Sequence, residues 1–111
     1  MSVRGSFYFK ITVTGNLIGE YFNNYSNVSL SKSANRINPG IGFVGQYVTS
    51  WSENQTSAEI NKLTIEEIST NMFKLIWTDM NGKETFHGKA SLLEKNIIYG
   101  YYSGEQFIQE H

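Results

Sequence analysis

The chain is predicted to be all-β, an antiparallel up-and-down meander of about eight strands closing into a small barrel. Three observations predict it. Apolar and polar residues alternate with a period of two along most of the chain, which places successive side chains on opposite faces of a strand. Short Gly- and Asn-containing turns separate the alternating stretches, so neighbouring strands pair antiparallel without long crossovers. Glycines then interrupt strands just ahead of tyrosines, at Gly19-Glu20-Tyr21, Gly45-Gln46-Tyr47 and Gly100-Tyr101-Tyr102. Glycine within a strand marks a bend, a bulge or a close approach, as expected of one sheet curling on itself. Eight antiparallel strands solve their edge problem best by closing. A two-sheet sandwich of the same strands is the alternative.

The elements follow in order. Residues 6–14 alternate, with Phe7, Phe9, Ile11 and Val13 on one face, and Gly15-Asn16 offers the positive φ angles of a tight hairpin. The return strand, residues 17–24, carries Leu17, Gly19, Tyr21 and Asn23 on one face. Residues 25–33 give a weaker strand through Val28 and Leu30, and residues 34–40, with the single proline, read as a loop. Residues 41–51 form the most regular stretch, with Ile41, Phe43, Gly45, Tyr47, Thr49 and Trp51 on one face. Residues 52–57 read as a turn. Residues 58–68 keep no strict period, and a strand with a bulge is expected there rather than a turn of helix.

Residues 72–78 resume alternation through Phe73, Leu75 and Trp77. Met80-Asn81-Gly82-Lys83 is the strongest hairpin signal in the chain. Its return strand, residues 84–92, places Glu84, Phe86, Gly88, Ala90 and Leu92 on one face. After a turn at residues 94–96, residues 97–102 form the last clear strand, and residues 106–108 a short closing piece.

At 111 residues the chain makes a single β-barrel domain spanning residues 1–111, with a core that needs no metal or disulfide support. A hydrophobic fraction of 40% and an aromatic fraction of 14% fit a packed domain rather than a disordered one. The net charge of −1 is spread along the chain without a basic run, so no nucleic-acid or anionic-membrane partner is expected. No apolar stretch approaches the ~20 residues of a spanning helix. The absence of cysteine removes disulfides, thiolate catalysis and zinc–thiolate sites. It fits a cytoplasmic protein, and equally a secreted one whose signal peptide has been removed.

Catalytic signatures are sparse. A Ser-His-Asp arrangement would need His87 with Asp79, the one aspartate, and no Gly-x-Ser-x-Gly elbow supplies a nucleophile. No metal-ligand spacing and no phosphate loop is present, so no cofactor, no metal and no catalysis are expected. The aromatic and amide residues are more informative. Tyr21, Asn23, Tyr47, Thr49, Trp51, Trp77 and Tyr99 fall on faces that also hold core-like residues, as does Tyr101. Lining a barrel interior, they would give an apolar cavity with a few hydroxyl and amide groups, the composition of a small-molecule site. The other reading is that the rings simply fill the barrel.

These motifs also carry a resemblance. The chain looks like a calycin, the group that includes lipocalins, fatty-acid-binding proteins and avidins. Residues 14–21, Thr-Gly-Asn-Leu-Ile-Gly-Glu-Tyr, resemble the avidin hairpin that delivers a biotin-contacting tyrosine. Residues 43–51 running into Ser52-Glu53-Asn54-Gln55-Thr56 resemble the avidin strand that ends in Trp. Residues 81–84 with Leu92-Leu93 are similar to a later avidin hairpin. The resemblance implies Tyr21 as ureido-oxygen donor, Asn23 as a polar neighbour and Trp51 as a pocket wall, with Ser52 and Thr56 as further contacts. The biotin-site pattern is incomplete: Phe7-Tyr8-Phe9 does not supply the opening Asn and Ser, and Ser91 stands where a Trp would precede Leu-Leu.

The expected function is non-enzymatic binding of a small apolar or amphipathic ligand inside a calycin-like barrel. A protein- or glycan-binding module using surface aromatics on a filled barrel is the rival, and an enzyme built around His87 the third reading. Pairing of barrels through their outer faces would make a homodimer.

Overall fold

The computed structural model describes residues 2–23, 30–38, 40, 42–54 and 57–105. They form eight strands: β1 (Ser2–Ile11), β2 (Leu17–Asn23), β3 (Leu30–Arg36), β4 (Gly45–Asn54), β5 (Ser57–Ser69), β6 (Met72–Thr78), β7 (Glu84–Glu94) and β8 (Ile97–Glu105). Each pairs antiparallel with the next, and β8 returns to pair with β1, so the sheet is a closed barrel and not a sandwich. The closing register runs from Ser2 opposite Glu105 to Lys10 opposite Ile97.

Alternation decides which face turns inward. Phe7 and Phe9 of β1, Leu17 and Tyr21 of β2, Ala34 of β3, Tyr47 and Thr49 of β4, Leu63 and Ile65 of β5, and Phe73, Leu75 and Trp77 of β6 are all buried. Ala90, Ile98 and Tyr102 complete the core from β7 and β8. Because the period is two, each inward set excludes its neighbours, and Ile18, Val48 and Ile60 stay exposed outside.

Several boundaries differ from expectation: β1 runs from Ser2 only to Ile11, leaving Val13 exposed beyond it, and β7 and β8 run on to Glu94 and Glu105. Ala34, Asn35 and Arg36 extend β3 instead of forming a loop, because their backbone pairs with Tyr47 to Thr49 of β4. β4 begins at Gly45, after a bend in which Gly42 has φ 76°, and runs on to Asn54. The most regular stretch of the sequence, residues 41–51, is therefore strand only from Gly45 onwards. β5 is a single strand whose irregularity is a bulge between Glu67 and Ser69, as expected. Residues 24–29, 55–56 and 106–108, which enter the expected third strand, turn and closing piece, lie outside the described residues.

The two strongest turns share one geometry. In the β1–β2 turn the Gly15 N–H donates to Thr12 O, and in the β6–β7 turn the Gly82 N–H donates to Asp79 O. Gly15 and Gly82 have φ of 87° and 86°, the left-handed conformation that glycine takes without strain. Asn16 does not share that conformation. Its side-chain oxygen instead accepts from the Arg36 N–H at 3.0 Å, tying β3 to the first hairpin. Gly88 of β7 has a different role: a Cβ there would lie 2.4 Å from Tyr101 O, so only glycine admits this approach of β8.

Candidate functional site

Tyr21, Tyr47, Thr49 and Trp77 turn inward as expected, but among the described residues Tyr47, Thr49 and Trp77 border no water-sized space. A water-sized space would leave accessible surface on its walls, and Phe9, Tyr47, Thr49, Leu75, Trp77 and Ile98 are all 0% exposed. Aromatic rings occupy the volume. Trp77 meets Phe7 edge-on with centroids 5.7 Å apart, and Tyr102 packs against Phe7, Trp77, Phe86 and Tyr21 at 5.7–6.3 Å. Thr49 donates to Asn61 O at 3.4 Å, and Asn61 Oδ1 accepts from Thr85 at 2.6 Å. Thr49, expected to greet a ligand, is instead tied to Asn61 of the neighbouring strand. The side chains of Asn23 and Trp51 lie outside the described residues.

Tyr99 is a correction. Ile98, Gly100 and Tyr102 take the inward positions of β8, so Tyr99 and Tyr101 project outward, 42% and 63% exposed. Their hydroxyls lie 2.8 Å apart and their rings meet edge-on at 5.7 Å. That hydroxyl bond raises the Tyr99 pKa above its ordinary value. The aromatic count of this strand is thus split between faces, with glycine at an inward position.

One end of the barrel is closed by Arg36. Its guanidinium lies 5.1 Å from the Tyr47 ring centroid and donates to the Tyr47 hydroxyl at 2.6 Å. It also donates to the carbonyls of Gly15 and Gly42. The Tyr47 hydroxyl in turn donates to Phe43 O at 2.8 Å. Burial pushes the Tyr47 pKa up, and the Arg36 charge and hydrogen bond oppose but do not cancel that rise. Tyr47 therefore belongs to a clamp joining two loops.

The accessible site lies outside, towards the other end. An open groove of ≈ 1020 Å³ runs over β7, β8, β1 and the adjoining residues Phe22 of β2 and Lys74 of β6. The register explains its lining. Phe22, Ser6, Tyr101, Lys89 and Lys74 follow one another across five adjacent strands, as direct cross-strand neighbours. Arg4, Ser103 and His87 make the parallel row beside them. Lys74 and Lys89 oppose each other directly, an arrangement that repels. Glu66 is the opposite neighbour of Lys74 on β5, whereas Lys89 has Tyr101 on its other side.

Glu84 reaches this groove through a bulge. Phe86 pairs with Trp77 but Thr78 pairs with Glu84, so one residue, Thr85, is extra. Strict alternation would put Glu84 inside with Phe86, as the sequence pattern indicates. The extra residue turns it outward onto the face of His87. Glu84 Oε2 then stands 3.4 Å from His87 Nδ1, and Ser103 Oγ stands 3.3 Å from His87 Nε2 across the β7–β8 pair. Asp79, the expected partner of His87, is held elsewhere: its Oδ1 accepts from the N–H groups of Asn81 and Lys83 within the turn.

Sequence reasoning missed Arg4, Ser6, Phe22, Lys74, Lys89 and Ser103. Alternation carried the signal for Ser6, Phe22, Lys74 and Lys89, which fall on faces opposite the core-like ones, whereas Arg4 precedes the expected first strand and Ser103 shares the face of Tyr99 and Tyr101. No protein-family model, curated protein or solved structure matches the chain. The resemblance to calycins holds at the level of architecture, a closed antiparallel barrel of eight strands.

Proposed function

We propose that this protein binds a small amphipathic ligand with an anionic head group, and that the outer groove is the site. The supporting observation is the groove itself. It combines exposed apolar rings from Phe22 and Tyr101 with cations from Arg4, Lys74 and Lys89, beside an interior in which aromatic side chains are closely packed. Its volume lies at the upper end of small-ligand sites. An anion bridging Lys74 and Lys89 replaces a cross-strand repulsion with two attractions, while the apolar body of the ligand covers the rings. This reading keeps the expected binding function and moves it from the lumen to the wall. An avidin-like role for Tyr21 would require the filled interior to open.

Isothermal titration with laurate, dodecanol and dodecyltrimethylammonium tests the proposal. Saturable binding is expected in that order of affinity, with laurate weakened about tenfold by Lys89→Glu, roughly the 1–2 kcal/mol of one desolvated charge contact. Equal affinity for the three chains would remove the anionic head group from the proposal. Loss of laurate binding in Tyr21→Ala but not Lys89→Glu would return the site to the lumen. The rival reading, a glycan- or protein-binding surface, draws support from the exposed Tyr99–Tyr101 pair. It predicts oligosaccharide-induced chemical-shift changes centred on those two rings.

A further inference from the structure

The groove carries more than binding groups. Ser103, His87 and Glu84 form a line in which a hydroxyl faces one imidazole nitrogen at 3.3 Å and a carboxylate faces the other at 3.4 Å. Three independent features assemble it. The β7–β8 register sets Ser103 opposite His87, the bulge at Thr85 turns Glu84 to the same face, and the β1–β8 register sets Arg4 on the far side of Ser103. Bulges re-aim side chains beside active sites, and this one spends a ladder position to bring an acid to a histidine.

With its ring proton on Nδ1, directed at Glu84, His87 presents Nε2 as the acceptor for the Ser103 proton. Both contacts are long, as such contacts are before a substrate draws them together.

We infer that Ser103 is a nucleophile activated by His87, and that the groove hydrolyses carboxylic esters of the amphipathic kind it is proposed to bind. The inference rests on the groove reading for its substrate class. Ser103 Oγ bonds to the acyl carbon as its proton passes to His87 Nε2. The negative charge developing on the carbonyl oxygen lies beside the Arg4 guanidinium. Collapse breaks the bond to the alcohol, which leaves with the proton from His87. Water then attacks the acyl-Ser103 ester, giving its proton to His87, and Ser103 departs with that proton as the carboxylic acid is released. Ester and water become acid and alcohol, with no oxidant or reductant. Glu84 is a positioning residue: it fixes the imidazole tautomer and balances the imidazolium.

The test is intact-mass spectrometry of the full chain treated with a dodecyl fluorophosphonate, which phosphonylates an activated serine with loss of fluoride. Laurate titration of the same samples runs alongside. One adduct per chain, mapped to Ser103 and slowed by excess laurate, is expected. Ser103→Ala should remove it, and His87→Ala should slow it about 100-fold or more, the scale of lost general-base assistance. Glu84→Gln should slow labelling and lower the kcat of p-nitrophenyl butyrate hydrolysis, while laurate binds no more weakly, since a carboxylate has been removed from the groove. Glu84→Asp should recover part of the loss. All four substitutions lie on the barrel exterior, and unchanged Trp77 fluorescence reports that the fold is kept.

Laurate binding without an adduct overturns the nucleophile and leaves the groove reading standing. An adduct at Tyr101 or a lysine overturns it equally. Neither binding nor adduct overturns both.

Discussion

At the residue scale, Tyr47 shows how a position selected for ligand binding serves closure. Its hydroxyl accepts from Arg36 and donates to Phe43 O, and its ring lies under the guanidinium. Tyr47→Phe removes both hydrogen bonds and should lower stability by about 1–3 kcal/mol in urea unfolding at pH 7. The pH dependence has a defined sign. The folded-state pKa is raised above 10.0, so the unfolded chain loses the phenolic proton first. The contribution of Tyr47 is therefore complete below pH 10 and declines as pH rises through the folded value. Urea curves of the two proteins should converge as pH climbs beyond 10, and a gap that widens there would contradict burial as the cause. Sequence alternation correctly turned Tyr47 inward, yet it could not foresee Arg36. That side chain comes from a segment read as loop, and only the β3–β4 register brings it over the ring.

At the element scale, the hairpins were the most legible features, because their turns are local in sequence. The β6–β7 turn depends on Gly82 in its left-handed conformation, reinforced by Asp79 accepting two backbone N–H groups. Gly82→Ala should cost about 1–2 kcal/mol through backbone strain alone, since its side chain would meet nothing within 4 Å. A loss much beyond that in thermal unfolding would mean that the turn has changed type. The β7 face was half legible. Phe86, Gly88, Ala90 and Leu92 point inward as alternation requires, while the bulge sends Glu84 outward. A bulge leaves no periodic trace when it falls at a strand's first residues, where one shifted position looks like a boundary. Tyr99 and Tyr101 of β8 escape prediction for a related reason. Size and apolarity favour them over glycine as core, whereas the crowded interior accepts Gly100 and excludes both.

At the scale of the whole molecule, a barrel could be read from strand number and turn length, but not whether it was hollow. That depends on how Phe7, Trp77, Phe86 and Tyr102 interlock, which is a sum over four strands and not a property of any one. The inward faces carry the strongest periodic signal for the same reason, whereas most of the groove lining stands on the outward faces. Closure also has a dynamic side. Every ladder but one joins strands adjacent in sequence, and the exception joins the first strand to the last. Parting a hairpin ladder leaves its strands tethered by a short turn and gains little chain entropy. Parting β1 from β8 releases two strands that are otherwise connected only through the other six, and gains more. Native-state hydrogen exchange should therefore find the β1–β8 amides opening at lower free energy than those between β5 and β6, and the reverse order would rule this out. Arg4 and Ser103 face each other across this seam. The proposed nucleophile and its cationic neighbour thus sit on the two lips of the one join between strands distant along the chain, so that parting β1 from β8 would pull the proposed catalytic pair apart.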